Sequence, residues 1–442
     1  MAKALRHRVL LALGLLALAI PGAAAARADG ADEDRRRTEG LVVAYGRTDA
    51  WPVKAVALLS LGERWHPAGA VVVAEAFAGR DRRLRAYALE ALRATAPEHL
   101  PTVLVPELLG ELVERQLLED DPRYRLNVLL LLARSFPLAG ARTPAEWQAW
   151  WREVRSTYAP PPWQERPPGD PAAGDETTTV AADTVRRAFD LSQGGIQLVL
   201  VLDTTGSMQP TIDAVRAGIA DLLAILSGLA PDLEVGLVQY RDREDLPDDD
   251  LREAGAAVVL PLTRDLDRLE DRLGTLVAGG GGDVPERVAS GLWVALGRAM
   301  GWARKANKMV VVVGDAPPQE VERAVDLARQ AHAEPESFLG RSAAVVTGSG
   351  ATAAGENRPF VVSTVGVGPQ GPANVTAEAF RRLAEAGGGL YVPFATAEPV
   401  RAASAEIVRR LVELSFGARH EAAARRFVDV YLKYRDAGYI RD

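Results

Sequence analysis

Residues 196–208 read Ile-Gln-Leu-Val-Leu-Val-Leu-Asp-Thr-Thr-Gly-Ser-Met. An almost unbroken apolar run, Ile196–Leu202, stops at a carboxylate and a cluster of hydroxyls. A run of this kind, bounded by turn residues, is the pattern of a strand buried on both faces. The loop that follows places Asp203, Thr205 and Ser207 together at the carboxyl end of that strand. All three offer oxygen, the donor preferred by hard cations such as Mg²⁺, with Mn²⁺ or Ca²⁺ as alternatives. The loop therefore reads as an open metal site that could accept an acidic group from another molecule.

Working outward, strands and helices alternate. Strands are expected at Ile196–Leu202, Glu234–Tyr240, Ala256–Leu262, Met309–Val313, Phe360–Gly366 and Leu390–Phe394. Helices are expected at Gln209–Leu229, Asp265–Val277, Val284–Ala306, Gln319–Ala333, Ala377–Ala386 and Glu398–Leu414. The connection before Ala256 is short and polar, so that strand is expected antiparallel to its predecessor. The rest imply a mostly parallel, doubly wound α/β sheet covered by helices on both faces. Ligands of such sheets bind at the carboxyl ends of the strands. The glycine-rich stretch within residues 334–358 reads as a surface loop without chemistry.

Residues 39–156 have a different grammar. Apolar residues recur at three- and four-residue spacing throughout, as in helices. Asp81, Arg83, Arg85, Leu89 and Leu92 recur 40 positions later (121 − 81) as Asp121, Arg123, Arg125, Leu129 and Leu132. That period points to an all-α domain of HEAT-like repeats, with an irregular helical bundle as the alternative. Trp147, Trp150 and Trp151 follow Thr143-Pro144, a helix start, and are expected to plug the end of the helical stack. Residues 157–193 read as a Pro-rich linker and short helix, and residues 417–442 as a C-terminal helix that packs back on a domain.

The amino terminus reads as processing rather than structure. Lys3, Arg6 and Arg8 precede the apolar stretch Val9–Ile20, which is shorter than the about 20 residues of a membrane span. Pro21-Gly22 and the alanines beyond it complete a signal-peptide pattern over residues 1–28. Export is therefore expected, to a periplasm or the extracellular space, with no membrane span after cleavage. Residues 29–38 read as a polar leader. The chain of 442 residues has no Cys, which excludes disulfides, thiolate metal sites and a lipid-anchored cysteine. Five scattered histidines offer no zinc spacing, and a formal net charge of −7 argues against general nucleic-acid binding.

The passages now quoted resemble a known family. Ile196–Met208, with its DTTGSM loop, looks like the opening of a von Willebrand factor A domain. VGLVQYRD (235–242), GGGGDVPE (279–286), VVVVGDAPP (310–318) and RRLAEAGGGLYVPF (381–394) match in the family's order. The resemblance covers about residues 194–416. The second and third of these passages are similar to those of the alpha-kinase-associated branch, though no kinase-like segment accompanies them here. The resemblance implies a metal-ion-dependent adhesion site with Asp203, Thr205 and Ser207 from the first loop. Asp283 would come from the second loop and Asp315, through water, from the third. Asp283 departs from the Thr common near this point, and it could instead cap a helix starting at Pro285. Asp203 and Ser207 likewise have a helix-capping alternative. Asp242 reads as paired to Arg241 or Arg243, and the acidic run Glu244–Asp250 as a solvated loop.

Three functions follow from these readings. The first is an exported, non-enzymatic interaction or adhesion protein whose divalent cation takes an acidic side chain of a partner protein. The second is a helical-repeat scaffold beside a degenerate metal site. The third is a metal-dependent hydrolase, for which the loops lack an evident general base.

Overall fold

The computed structural model describes residues 30–97, 99–163, 175–241, 255–280, 285–339, 357–368, 374–394 and 400–440. The signal-peptide segment 1–28, the acidic run 244–250, Asp242 and Asp283 lie outside them. The chain forms two compact units. One spans residue 190 to residue 425, and the other joins the chain up to Phe189 with the chain from Arg426 onward.

The first unit is built on six strands: β1 (Ile196–Asp203), β2 (Leu233–Tyr240), β3 (Ala256–Thr263), β4 (Asn307–Gly314), β5 (Phe360–Val367) and β6 (Gly388–Phe394). Their order is β3-β2-β1-β4-β5-β6. β1 runs parallel to both neighbours, with Val199 opposite Gly236 on one side and Val310 on the other. β3 is the antiparallel member, as its short connection implied. Every residue of β1 is buried. Its alternate residues serve two cores. Val199 and Val201 join Tyr240, Leu292, Val310, Val312 and Phe380 on one face. On the other, the helix Gln209–Leu229 packs beside Val400–Phe416, and Gly218 permits the close approach because a Cβ there would lie 3.0 Å from the Ser404 carbonyl oxygen.

The strand order reverses between β1 and β4. β1 leads through Gln209–Leu229 to β2 on one side, while the later strands accumulate on the other. This is the switch point at which open α/β sheets form a crevice, and the loop after Asp203 occupies it.

The expected helix Val284–Ala306 is shorter, Val288–Leu296 followed by a 3₁₀ turn Arg298–Met300. Gly297 and Gly301 interrupt it, the latter in the left-handed region at φ 83°. Residues 334–358 include one helical turn, Glu336–Leu339.

The second unit is all-helical among the described residues. Its helices include Trp51–Glu63, Arg82–Ala94, Pro106–Glu114, Pro122–Ser135 and Pro144–Val154. The two aspartates 40 residues apart in sequence (121 − 81) do the same local work. Asp81 accepts from Arg83 N and Asp121 from Tyr124 N, each capping its helix. Trp147 and Trp151 are buried, and the Trp150 ring lies 5.1 Å from that of Phe136, so these residues pack inward.

Two expectations are corrected, and a third, a C-terminal helix that packs back on a domain, is met. Residues 30–38 are not a leader but the first part of the helix Gly30–Gly46, in which Arg37 is buried and donates to the carbonyls of Ser60 and Arg64 at 2.7 and 3.1 Å. Charge disguised the buried face, because Arg can lay its stem along apolar surface while its head is satisfied by carbonyls. The helix expected to be short in residues 157–193 runs from Asp175 to Gly194, with Val185, Ala188 and Leu191 buried at three-residue spacing. The C-terminal helix, Glu421–Asp436, completes the helical unit: Phe427 stacks on Tyr87 at 5.4 Å, and Tyr439 beyond it stacks on Tyr124 at 4.2 Å.

Two measurements check this account. Phe427→Ala empties a wholly buried position and is expected to cost about 3–5 kcal/mol. Hydrogen exchange should show the loss in the helices of the all-α unit. The second test concerns Lys308 at the start of β4, which is buried and donates to the carbonyls of Arg304 and Arg358 at 2.6 and 3.0 Å. Burial, with a smaller push from Arg358, lowers its pKa from 10.5 to about 8. Between those values the unfolded chain holds the extra proton, so stability rises with pH across that window. The slope is at most about 1.4 kcal/mol per pH unit. Urea unfolding of wild type and Lys308→Met from neutral to alkaline pH should show this rise in the wild type alone.

Candidate functional site

The site begins with a carboxylate that the fold takes wholly out of water. Asp203 ends β1 with no exposed surface. Its Oδ1 accepts from the Thr205 backbone N at 2.9 Å and from Thr205 Oγ1 at 2.7 Å. This turn fixes the loop and leaves the Thr205 oxygen lone pairs for another ligand. Ser207 lies two residues on, exposed, and makes no hydrogen bond among the described residues. Neither Asp203 nor Ser207 caps the helix that follows: its N-cap is Met208, without a side-chain bond. The capping alternative therefore fails for both.

Backbone hydrogen bonds hold the neighbouring loops against this one. Gly206 N donates to Gly280 O at 3.1 Å, and Gly279 N to Thr204 O at 3.0 Å. Ala278 N donates to Gln209 Oε1 at 2.9 Å. The far end of the second loop is tied to the third: Glu286 N donates to Pro317 O at 2.9 Å, and Gln319 N to Glu286 O at 2.8 Å. Asp283 falls between these anchored ends but outside the described residues. The helix after it starts at Val288 with Arg287 in the N-cap position, so the helix expected at Pro285 does not exist for Asp283 to cap.

Asp315 follows β4 directly. It is half-buried, and its carboxylate makes no hydrogen bond or ion pair among the described residues. Thr376 Oγ1 donates to its carbonyl at 3.5 Å. The convergence of the three loops is read by Tyr240, whose hydroxyl is buried at the end of β2 and donates to Val313 O at 3.1 Å. Burial raises its pKa well above the ordinary value, and the charges of Asp203, Glu286 and Asp315 add to the rise. Carboxylates from all three loops thus act electrostatically on one phenol.

Asp203, Thr205, Ser207 and Asp315 come to one sheet edge. Among the described residues no three His, Asp or Glu side chains form a metal cluster, so a cation here would depend on hydroxyl oxygens as well as carboxylates. That mixed oxygen set suits Mg²⁺, which binds few protein carboxylates and keeps other positions for water or a ligand.

Sequence reasoning missed Glu286 and Tyr240. Glu286 was expected in the first turn of a helix. It is instead buried in a short bridge to Pro318. The Pro285-Glu286 pair before an apolar run imitates a helix start, and nothing local distinguishes the two.

Residues 197–395 match the family model described as the von Willebrand factor A domain. No curated protein matches the chain. Among solved structures, half of the chain resembles BatB from Bacteroides thetaiotaomicron at 15% identity and a TM-score of 0.32, over 99% of that chain. The same share resembles the pilus adhesin SpaC from Lactobacillus rhamnosus GG at 15% identity and a TM-score of 0.35, over 30% of that chain. It also resembles proximal thread matrix protein 1 from the mussel byssus at 12% identity and a TM-score of 0.34, over 48% of that chain.

The packing around Tyr240 is testable. A Cβ on Gly314 would overlap Tyr240 Oη and come within 3.4 Å of Asp203 Oδ2. Gly314→Ala is expected to destabilise the unit by about 1–3 kcal/mol. Tyr240→Phe alone should cost about 1 kcal/mol. The double variant should be more stable than the sum of the two, because removing the hydroxyl makes room for the methyl. Denaturant unfolding of the four proteins in the cycle measures this.

Proposed function

On the premise that residues 197–395 are a von Willebrand factor A domain, we propose that this chain is an exported binding protein that captures a partner through a divalent cation held by Asp203, Thr205, Ser207, Asp283 and Asp315. The observation that carries the reading is the state of the first loop. A buried Asp203 orients Thr205, while the neighbouring Ser207 hydroxyl is exposed and uncommitted among the described residues. Von Willebrand factor A domains commonly bind protein partners.

Mg²⁺ is the favoured ion, with Mn²⁺ or Ca²⁺ as substitutes. When bound, it would supply positive charge and an open coordination position for an acidic side chain of a protein partner. The chain's own part is orientation. Thr205 is set by Asp203, Ser207 stands exposed to solvent, and Asp315 follows β4 with its carboxylate uncommitted among the described residues. Binding is favoured over turnover because loops 203–208, 277–286 and 314–319 contain no His, Lys or Cys to serve as nucleophile or strong base. Export rests on the signal-peptide pattern of residues 1–28. Among the described residues no helix is long and apolar enough to cross a membrane.

Calorimetric titration of Mg²⁺, Mn²⁺ and Ca²⁺ tests the reading. Wild type is expected to bind one ion. Ser207→Ala, an exposed change that leaves the core intact, should weaken binding by about tenfold or more, and Asp203→Ala should abolish it. Absence of saturable binding to wild type at about millimolar metal would overturn the proposal.

A further inference from the structure

We infer that Arg241 is a second anchor on the same face. It is a fixed guanidinium that takes a carboxylate of the bound partner beside the one offered to the cation, so the partner carries two neighbouring acidic side chains. The inference deepens the proposed function and rests on it, but its observations are separate. Arg241 follows the last residue of β2, at the carboxyl edge of the sheet. Its Nε donates to Thr204 Oγ1 at 3.1 Å and its Nη2 to Val277 O at 2.9 Å. Thr204 lies between Asp203 and Thr205, so the guanidinium is pinned to the metal loop itself.

Those two bonds commit two of the five N–H donors of an arginine. The Nη1 hydrogens and the second on Nη2 remain, and that edge matches the two oxygens of a carboxylate. Among the described residues no carboxylate pairs with Arg241; Asp242, expected to pair with Arg241 or Arg243, lies outside them. Four other arginines of this unit do meet an acid. Arg216 spends its donors on the carbonyl of Leu273 and on Asp213, and Arg264, Arg323 and Arg382 pair with nearby acids.

An arginine already held in place loses little further freedom when it binds an anion. In a chain of formal net charge −7, a guanidinium that meets no carboxylate among the described residues supplies positive charge beside a loop that accepts acidic groups. Electrostatic complementarity of this kind selects partners. Val277, whose carbonyl holds the guanidinium, is 67% exposed and offers aliphatic surface to the methylene groups of an approaching Glu side chain.

The test uses the full chain and two fluorescein-labelled peptides, Gly-Glu-Gly-Glu-Gly and Gly-Glu-Gly-Gln-Gly, followed by anisotropy in Mg²⁺ and in EDTA. Wild type in Mg²⁺ is expected to favour the two-acid peptide by about tenfold or more. Arg241→Gln should lose that preference while keeping its calorimetric Mg²⁺ affinity, and Arg241→Lys should recover part of it. If EDTA leaves wild-type binding unchanged, the metal reading falls. The anchor is then judged in EDTA, where Arg241→Gln must still weaken capture of the two-acid peptide. The inference is overturned if Arg241→Gln retains the wild-type preference, or if wild type captures neither peptide in either condition. It is also overturned if the Gln and Lys variants lose Mg²⁺ and peptide affinity alike, since Arg241 would then only glue the loops together.

Discussion

The turn in which Asp203 Oδ1 accepts both the backbone N–H and the hydroxyl of Thr205 is the constraint on which this edge of the molecule depends. A carboxylate without exposed surface is costly unless its oxygens are bonded, and the loop answers by wrapping around it. Wrapping turns Thr204 toward the Tyr240 carbonyl and Arg241, and it presents Gly206 and the Thr204 carbonyl to the glycine-rich loop. The second loop is docked by its backbone, and Gly280 there adopts the left-handed region at φ 67° that favours glycine. The third loop is then fixed through Glu286 and Pro317. A local turn around a buried carboxylate is thereby linked to three segments distant in sequence.

The sheet makes this possible by rigidity. β1 is buried along its whole length between two parallel neighbours, so its last residue has little freedom. Tyr240 occupies the equivalent end of β2 and reaches across to the Val313 carbonyl of β4. It thus spans the end of the strand between them. Gly314 is required because any side chain there would collide with that hydroxyl. The same phenol that braces the strand ends has its pKa raised first by burial and then by the charges of Asp203, Glu286 and Asp315.

The helical unit is assembled from two pieces of chain, with the sheet unit occupying the sequence between them. Its aromatic core needs both pieces: Trp51 and Tyr87 from the first meet Phe427 and Tyr431 from the last. The late helix also carries Lys433 and Tyr434, both donating to Glu90 at 2.7 Å. Attraction to both holds that carboxyl below its ordinary range even though burial pushes the other way.

The strands were legible because a strand buried on both faces must be apolar at nearly every position, and β1, β4 and β5 obey that. Asp203, Thr205 and Ser207 were legible because oxygen donors at alternate positions after such a strand have few other uses. The helix Gly30–Gly46 was not legible, since its charged residues mask a buried face. Neither were the true start of the helix at Val288 and the burial of Glu286, since Pro-Glu is equally good chemistry for a helix turn and for a bridge. Sequence by itself determined the two grammars, the strand set and the first loop, all properties of residues close together along the chain. Tertiary structure alone decided that the C-terminal helix completes the all-α unit, that the Tyr240 hydroxyl reaches the Val313 carbonyl, and that Arg241 is pinned to Thr204. Those are contacts between residues far apart in sequence, set by strand order and packing, and no local pattern encodes which of several chemically adequate partners the fold brings within reach.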